Sequence, residues 1–292
     1  MKSRYFWLIR AVAVLLVATV FLAFFMAEAE HPQCSTPDTY VLIIETPGPY
    51  EYTEMQAVSD RKAAENQILI LLNHNPIAFY STGSSIIQIN QYLKPGANRL
   101  TLRGRWKDTV RVEIDVMRNE EVKSRALERM VPPTEKGQQW LAEFDADIHY
   151  ELPIFAVGNR IPPDKDTVRK ELLVFLKRSH EILALRRIDE VLELTRQGMD
   201  VWKRLAYGVS EKALQEGHEL HVTFLSAKEN VIDPFDANSL CLEVGKNLVM
   251  AYTGFHGRFN SPHVFTYTAN EQKIYTGQVL LAYLEKHWVW WD

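Results

Sequence analysis

The chain has 292 residues, 47% of them apolar and 11% aromatic, with 37 acidic side chains against 33 basic. That apolar content excludes general disorder and leaves enough chain for two domains of ordinary size. The formal charge is −4, and −6 once the first 29 residues, with three basic and one acidic side chain, are set aside; this argues against nucleic acid as the main partner, since phosphate binding needs a basic face.

Lys2, Arg4 and Arg10 precede an apolar run from Ala11 to Ala27, and Ala27-Glu28-Ala29 supplies the small residues a signal peptidase reads. Basic, apolar, then small is the order of a secretory signal peptide over residues 1–29, cleaved after Ala29. An uncleaved anchor through residues 11–27 is the alternative, since a run of 17 residues lies at the lower limit of a spanning helix. Both place the remainder in the periplasm or cell envelope. His31-Pro32-Gln33 before Cys34 lacks the small residues of a lipidation site. Cys34 and Cys241 are a candidate disulfide for an oxidising compartment, although Cys241 in "SLCLEV" also reads as a buried apolar filler.

"YVLIIE" (residues 40–45) and "QILILL" (67–72) are short, β-branched apolar runs, and "VRVEIDV" (110–116) alternates, with Val110, Val112, Ile114 and Val116 opposite Arg111, Glu113 and Asp115. That pattern predicts half-buried antiparallel strands, and the turn residues between them suggest a β-sandwich over residues 30–118. "ILILLNHNPIAFYSTGSSIIQINQYLKPGANRLTLRG" resembles the hairpin region of jelly-roll sandwiches that accompany glycoside hydrolases, on Ile89, Asn90, Tyr92, Leu93, Lys94, Pro95, Gly96, Asn98 and Leu100. The phrase is structural: Pro95-Gly96 makes the turn, and Asn98 is placed to bond its own backbone. The resemblance implies an accessory domain rather than a catalytic one.

Residues 119–163 read as a connection. "NEEVKSRALERM" predicts a charged helix that stops at Pro132-Pro133, and "FDADIHYELPIF" predicts one extra strand with Asp145, Asp147 and His149 on its solvated face. The period changes at residue 164. Val168, Leu172, Phe175, Leu176 and Leu183 share one helical face, and Ile188, Val191, Leu192, Met199 and Trp202 another. After Gly217, "ELHVTFL", "SLCLEV", "NLVMAY", "HVFTYT", "QVLLAYL" and "HWVWW" read as strands, so the whole is a two-domain α+β protein. The order of helices then strands over residues 164–292, with a hairpin at Gly245-Lys246-Asn247, is similar to NTF2-like domains. That resemblance spans isomerases, hydrolases, scaffolds and toxin immunity proteins, and implies no single activity.

His218-Glu219-Leu220-His221 lacks the His-Glu-x-x-His spacing, and on a strand its two imidazoles point to opposite faces, so no metal site is expected. No nucleophile elbow, phosphate loop or dinucleotide fingerprint is present, and no catalytic residue or cofactor is implied. One loop stands out. "GFHGRFNSPHVF" places Phe255, His256, Arg258, Phe259, Asn260 and His263 together, the Arg-and-aromatic content of a partner-binding surface. The expectation is an exported, non-catalytic envelope protein that binds another protein, for which an NTF2-like immunity protein against a secreted toxin is the nearest resemblance. The alternatives are an exported hydrolase acting on glycans and a carbohydrate-binding envelope module.

Overall fold

Eight antiparallel strands build the first half of the chain, in a computed structural model that describes residues 38–46, 67–80, 83–118, 121–149, 152–155, 160–194, 196, 219, 222–224, 226–255, 258–260, 262–267, 272–275 and 279–291. They are β1 (Thr39–Glu45), β2 (Gln67–Leu72), β3 (Asn75–Tyr80), β4 (Ser84–Gln88), β5 (Gly96–Trp106), β6 (Val110–Arg118), β7 (Glu121–Val131) and β8 (Thr134–Ala146). Two sheets result, ordered β4-β1-β6-β7 and β3-β2-β5-β8. Only β2–β3 and β6–β7 follow each other within a sheet; every other step of the chain changes sheet. The inward faces meet through Leu42, Ile44, Ile68, Ile70, Leu100, Leu102, Val112 and Ile114, the alternate positions that the period-two pattern marks.

Residues 121–130 of the charged stretch "NEEVKSRALERM" are a strand, not a helix. β7 pairs along β6 from Val110↔Val131 to Arg118↔Glu121, and Leu127 and Val131 enter the sandwich core. The charges that favour a helix locally are complementary across the hairpin. Arg125 reaches Asp115 at 2.8 Å and Glu113 at 2.9 Å, and Arg118 and Lys123 both bind Asp38. Pairing and burial override helix propensity here. The same hairpin explains why Glu113 and Asp115, on the polar side of β6, are only 2% and 4% exposed.

In the second half, helix α1 (Lys165–Ala184) starts on Asp164, whose carboxylate accepts from the Asp166 and Thr167 amides at 3.2 Å. The Thr167 hydroxyl and these two amides hold the Asp164 carboxyl below its ordinary range. Residues 188–194 are also helical. The strands are β9 (Asn230–Ile232), β10 (Leu240–Val244), β11 (Leu248–Phe255), β12 (Arg258–Asn260), β13 (Val264–Tyr267), β14 (Gln272–Tyr275), β15 (Val279–Leu284) and β16 (His287–Trp290). They form a sheet β10-β11-β15-β16, with β12 folded back on β11, and a smaller sheet β14-β13-β9. "ELHVTFL" does not read through as a strand: its residues 222–224 are helical, and the next strand is β9.

Among the described residues the protein is mostly antiparallel β structure with few helices, in keeping with an α+β class. The larger C-terminal sheet is covered on both faces. Val249, Ala251, Leu281 and Trp288 pack against Val168, Leu172 and Leu176 of α1. Leu248, Met250, Leu280, Ala282, Val289 and Trp291 join the core of the sandwich. The layers therefore run sandwich, sheet, helix. Trp288 is 8% and Trp291 5% exposed, and the Trp288 indole donates to Glu171 Oε2 at 2.9 Å. None of the described helices is long and apolar enough to cross a membrane; residues 11–27 lie outside the described residues.

Candidate functional site

Three turns meet where the sandwich abuts the C-terminal sheet. The first joins β2 to β3 through Asn73 and His74, both left-handed at φ 52° and 67°, which makes a tight two-residue hairpin from residues that are not glycine. The second is the Lys94–Asn98 turn of the "YLKPGAN" phrase, with Gly96 at φ 75°. The third is the β10–β11 connection through Gly245, Lys246 and Asn247.

Asparagines tie the three together. Asn73 Nδ2 donates to Asn98 Oδ1 at 2.7 Å and to the Tyr92 carbonyl, while Asn73 Oδ1 accepts from the Arg99 amide. Asn98 closes its own turn by donating to the Lys94 and Gly96 carbonyls and accepting from the Lys94 amide, the backbone bonding expected from the sequence. Across the seam, the Lys246 amide donates to the His74 carbonyl at 3.2 Å. The amides of Asn247 and Leu248 both donate to Asn75 Oδ1, at 2.6 and 3.0 Å. Asn247 Nδ2 donates to the Ile154 carbonyl in the 3₁₀ turn Pro153–Phe155. Beside the turns, Phe79 meets Tyr252 edge-on at 4.8 Å and Arg103 pairs with Glu243. Burial pushes the Tyr252 phenol up to about 12, with the Glu243 carboxylate adding to the shift.

These turns wall a cleft of about 340 Å³, lined by His74, Lys94, Arg99, Glu143, Phe155 and Lys246 together with the asparagines. Arg99 is paired with Glu143 at 2.8 Å, which leaves the two lysines as the net charge of the cleft. Among the described residues Glu143 is its one lining carboxylate, and no serine or cysteine lines it. The arrangement can hold a charged group.

The residues singled out from sequence lie elsewhere. Phe255 ends β11, and Arg258, Phe259 and Asn260 form β12, with Phe255↔Arg258 and Gly254↔Phe259 as register partners. The described backbone there is paired strand; His256 lies outside the described residues. His263 is 3% exposed, inside a cluster with His180, Phe235 and Trp290 at 5.9–6.1 Å, which takes it away from any accessible face. Its imidazole is depressed to about 3 by burial and by the neighbouring His180. Cys241 is exposed on edge strand β10 as a free thiol, so it is no apolar filler, and Cys34 lies outside the described residues. His218 and His221 also lie outside them. Asp145, Asp147 and His149 are solvent-exposed, as a solvated face requires. That the three turns meet escaped sequence reading because each is ordinary alone. Their shared signal is an asparagine in a turn, twice beside a lysine, in "NHN", "KPGAN" and "GKN".

Comparison with protein-family profiles, with curated proteins and with solved structures finds no match to this chain.

Proposed function

We propose that the protein is exported and acts without catalysis, by binding another protein in the periplasm or cell envelope. The observation that carries this reading is the β11–β12 hairpin. It extends β11, a strand whose sheet is covered on both faces, so the backbone of Phe255, Arg258, Phe259 and Asn260 belongs to a fixed stem. Arg and Phe on such a stem are the residue types that concentrate binding energy in protein interfaces. Helix α1 packed on one face of an antiparallel sheet supports the NTF2-like resemblance, and with it an immunity protein whose partner is a secreted toxin. Export rests on residues 1–29.

The test is a pull-down from the envelope and secreted fractions of the source organism, followed by titration of wild type, Arg258→Ala and Phe259→Ala against the recovered protein. Affinity should fall by ~2 kcal/mol or more with the melting temperature held. Equal affinities would remove the hairpin from the interface, and a folding loss in both variants would make it structural.

One observation favours a second reading. The sheet orders β4-β1-β6-β7 and β3-β2-β5-β8 have the pairing of an eight-stranded jelly roll entered two strands late, which supports a carbohydrate-binding module or the accessory part of a glycan hydrolase. Retention on an immobilised neutral glycan, without any protein partner, would select that reading.

A further inference from the structure

The cleft at the seam lies apart from the β11–β12 hairpin and rests on its own observations. The protein is acidic overall, yet the cleft has Lys94, Arg99 and Lys246 against a single carboxylate. Glu143 neutralises Arg99, and among the described residues neither Lys94 nor Lys246 has a carboxylate partner. Two uncompensated ammonium groups thus face one volume of about 340 Å³, the size of a small-molecule site.

The lysines sit on backbone that is already ordered. Asn73–Asn98, His74–Lys246 and Asn75–Asn247 fasten the three turns to one another, so a ligand that bridges the lysines does not have to order the loops that bear them. Binding costs only the freedom of the two side-chain ends. The His74 φ of 67° is consistent with turns held by their partners rather than by local preference.

Hydrogen-bonding capacity separates the ligand classes. A neutral polyol needs free amides or carboxylates. Here both protons of the Asn73 and Asn98 amides are used on protein acceptors, and Asn247 Nδ2 is committed to the Ile154 carbonyl. Charge is what the cleft has to offer, and two lysines lining one cleft suit an anion with at least two negative groups.

We propose that this cleft binds a small polyanion, a molecule that carries two or more phosphate or carboxylate groups and bridges Lys94 and Lys246. The test is calorimetric titration of the full chain at low ionic strength with pyrophosphate, with citrate and with sorbitol as a neutral control. Saturable one-to-one binding is expected for an anion and none for sorbitol. Pyrophosphate alone would assign phosphate chemistry, citrate alone carboxylate chemistry, and both a site that reads charge.

Lys94→Gln and Lys246→Gln should each weaken binding about tenfold, and the double variant should lose it. Both residues are exposed, so all three variants should melt with the wild type. Lys170→Gln, an exposed lysine on α1, should leave affinity unchanged. The proposal is overturned if neither anion saturates the wild type, if the double variant binds as the wild type does, or if Lys170→Gln weakens binding as much as the cleft substitutions.

Discussion

Asn75 is the residue through which the sandwich grips the C-terminal sheet, and Asn75→Ala tests that joint. Its side chain is 1% exposed, and its one oxygen accepts from two backbone amides of the β10–β11 connection, Asn247 at 2.6 Å and Leu248 at 3.0 Å. Alanine leaves both amides buried without an acceptor. At about 1–3 kcal/mol for each orphaned group the loss is about 2–6 kcal/mol, a large part of an ordinary domain's stability. Among the described residues the Nδ2 has no partner to lose, so Asn75→Asp, which keeps an oxygen at the same place, should recover part of that cost. Urea unfolding gives the stability change, and hydrogen exchange resolved by segment shows where protection is lost. Because Leu248, Met250 and Trp291 share one core with Ile68 and Ile70 of the sandwich, both halves should lose protection together. A cost below about 0.5 kcal/mol, or two transitions of which the substitution moves only one, would refute the joint.

Gly245→Ala should loosen the same seam by about 1–3 kcal/mol in urea, since a methyl group there would stand 2.5 Å from Pro76 Cδ and 2.8 Å from the His74 carbonyl. His74→Gly relieves a left-handed residue and should raise stability by up to about 1 kcal/mol in the same assay. His263 has its folded-state pKa depressed to about 3 against an ordinary 6.5, so the unfolded chain takes up a proton that the buried ring refuses. Its contribution is complete above pH 6.5 and is lost as pH falls from there toward 3, by about 1.4 kcal/mol per pH unit; His263→Phe should flatten that limb of a stability–pH curve.

The elements that were legible are those whose local pattern and tertiary role agree. β1, β2 and β6 announce themselves by β-branched runs and alternation, α1 by its apolar stripe, and the "YLKPGAN" turn by Pro, Gly and Asn. β7 was not legible, because Glu121, Lys123, Arg125 and Glu128 favour a helix until Glu113, Asp115 and Asp38 stand opposite them. Residues 222–224 fail the other way: three alternating side chains fit a strand as well as a helix, and only context decides. The cleft was illegible for a stronger reason. Asn73 and Asn98 are 25 residues apart and Asn75 and Asn247 are 172 apart, separations that no local rule joins.

The covered sheet did leave a trace. A strand with one solvated face alternates, whereas a strand buried on both faces reads as a continuous apolar run. Leu248 to Ala251 and Leu280 to Ala282 are continuous, and every one of these residues is buried. Such a sheet needs two covers. The helices that precede it in the chain supply one, so the second must come from the sandwich or from another molecule. Sequence alone leaves both open. Geometry assigns the second cover to the sandwich, through Tyr252 on Phe79 and Trp291 in the shared core. The consequence for function is a narrowing: Trp288 and Trp291 are occupied within the chain and are not open to other molecules.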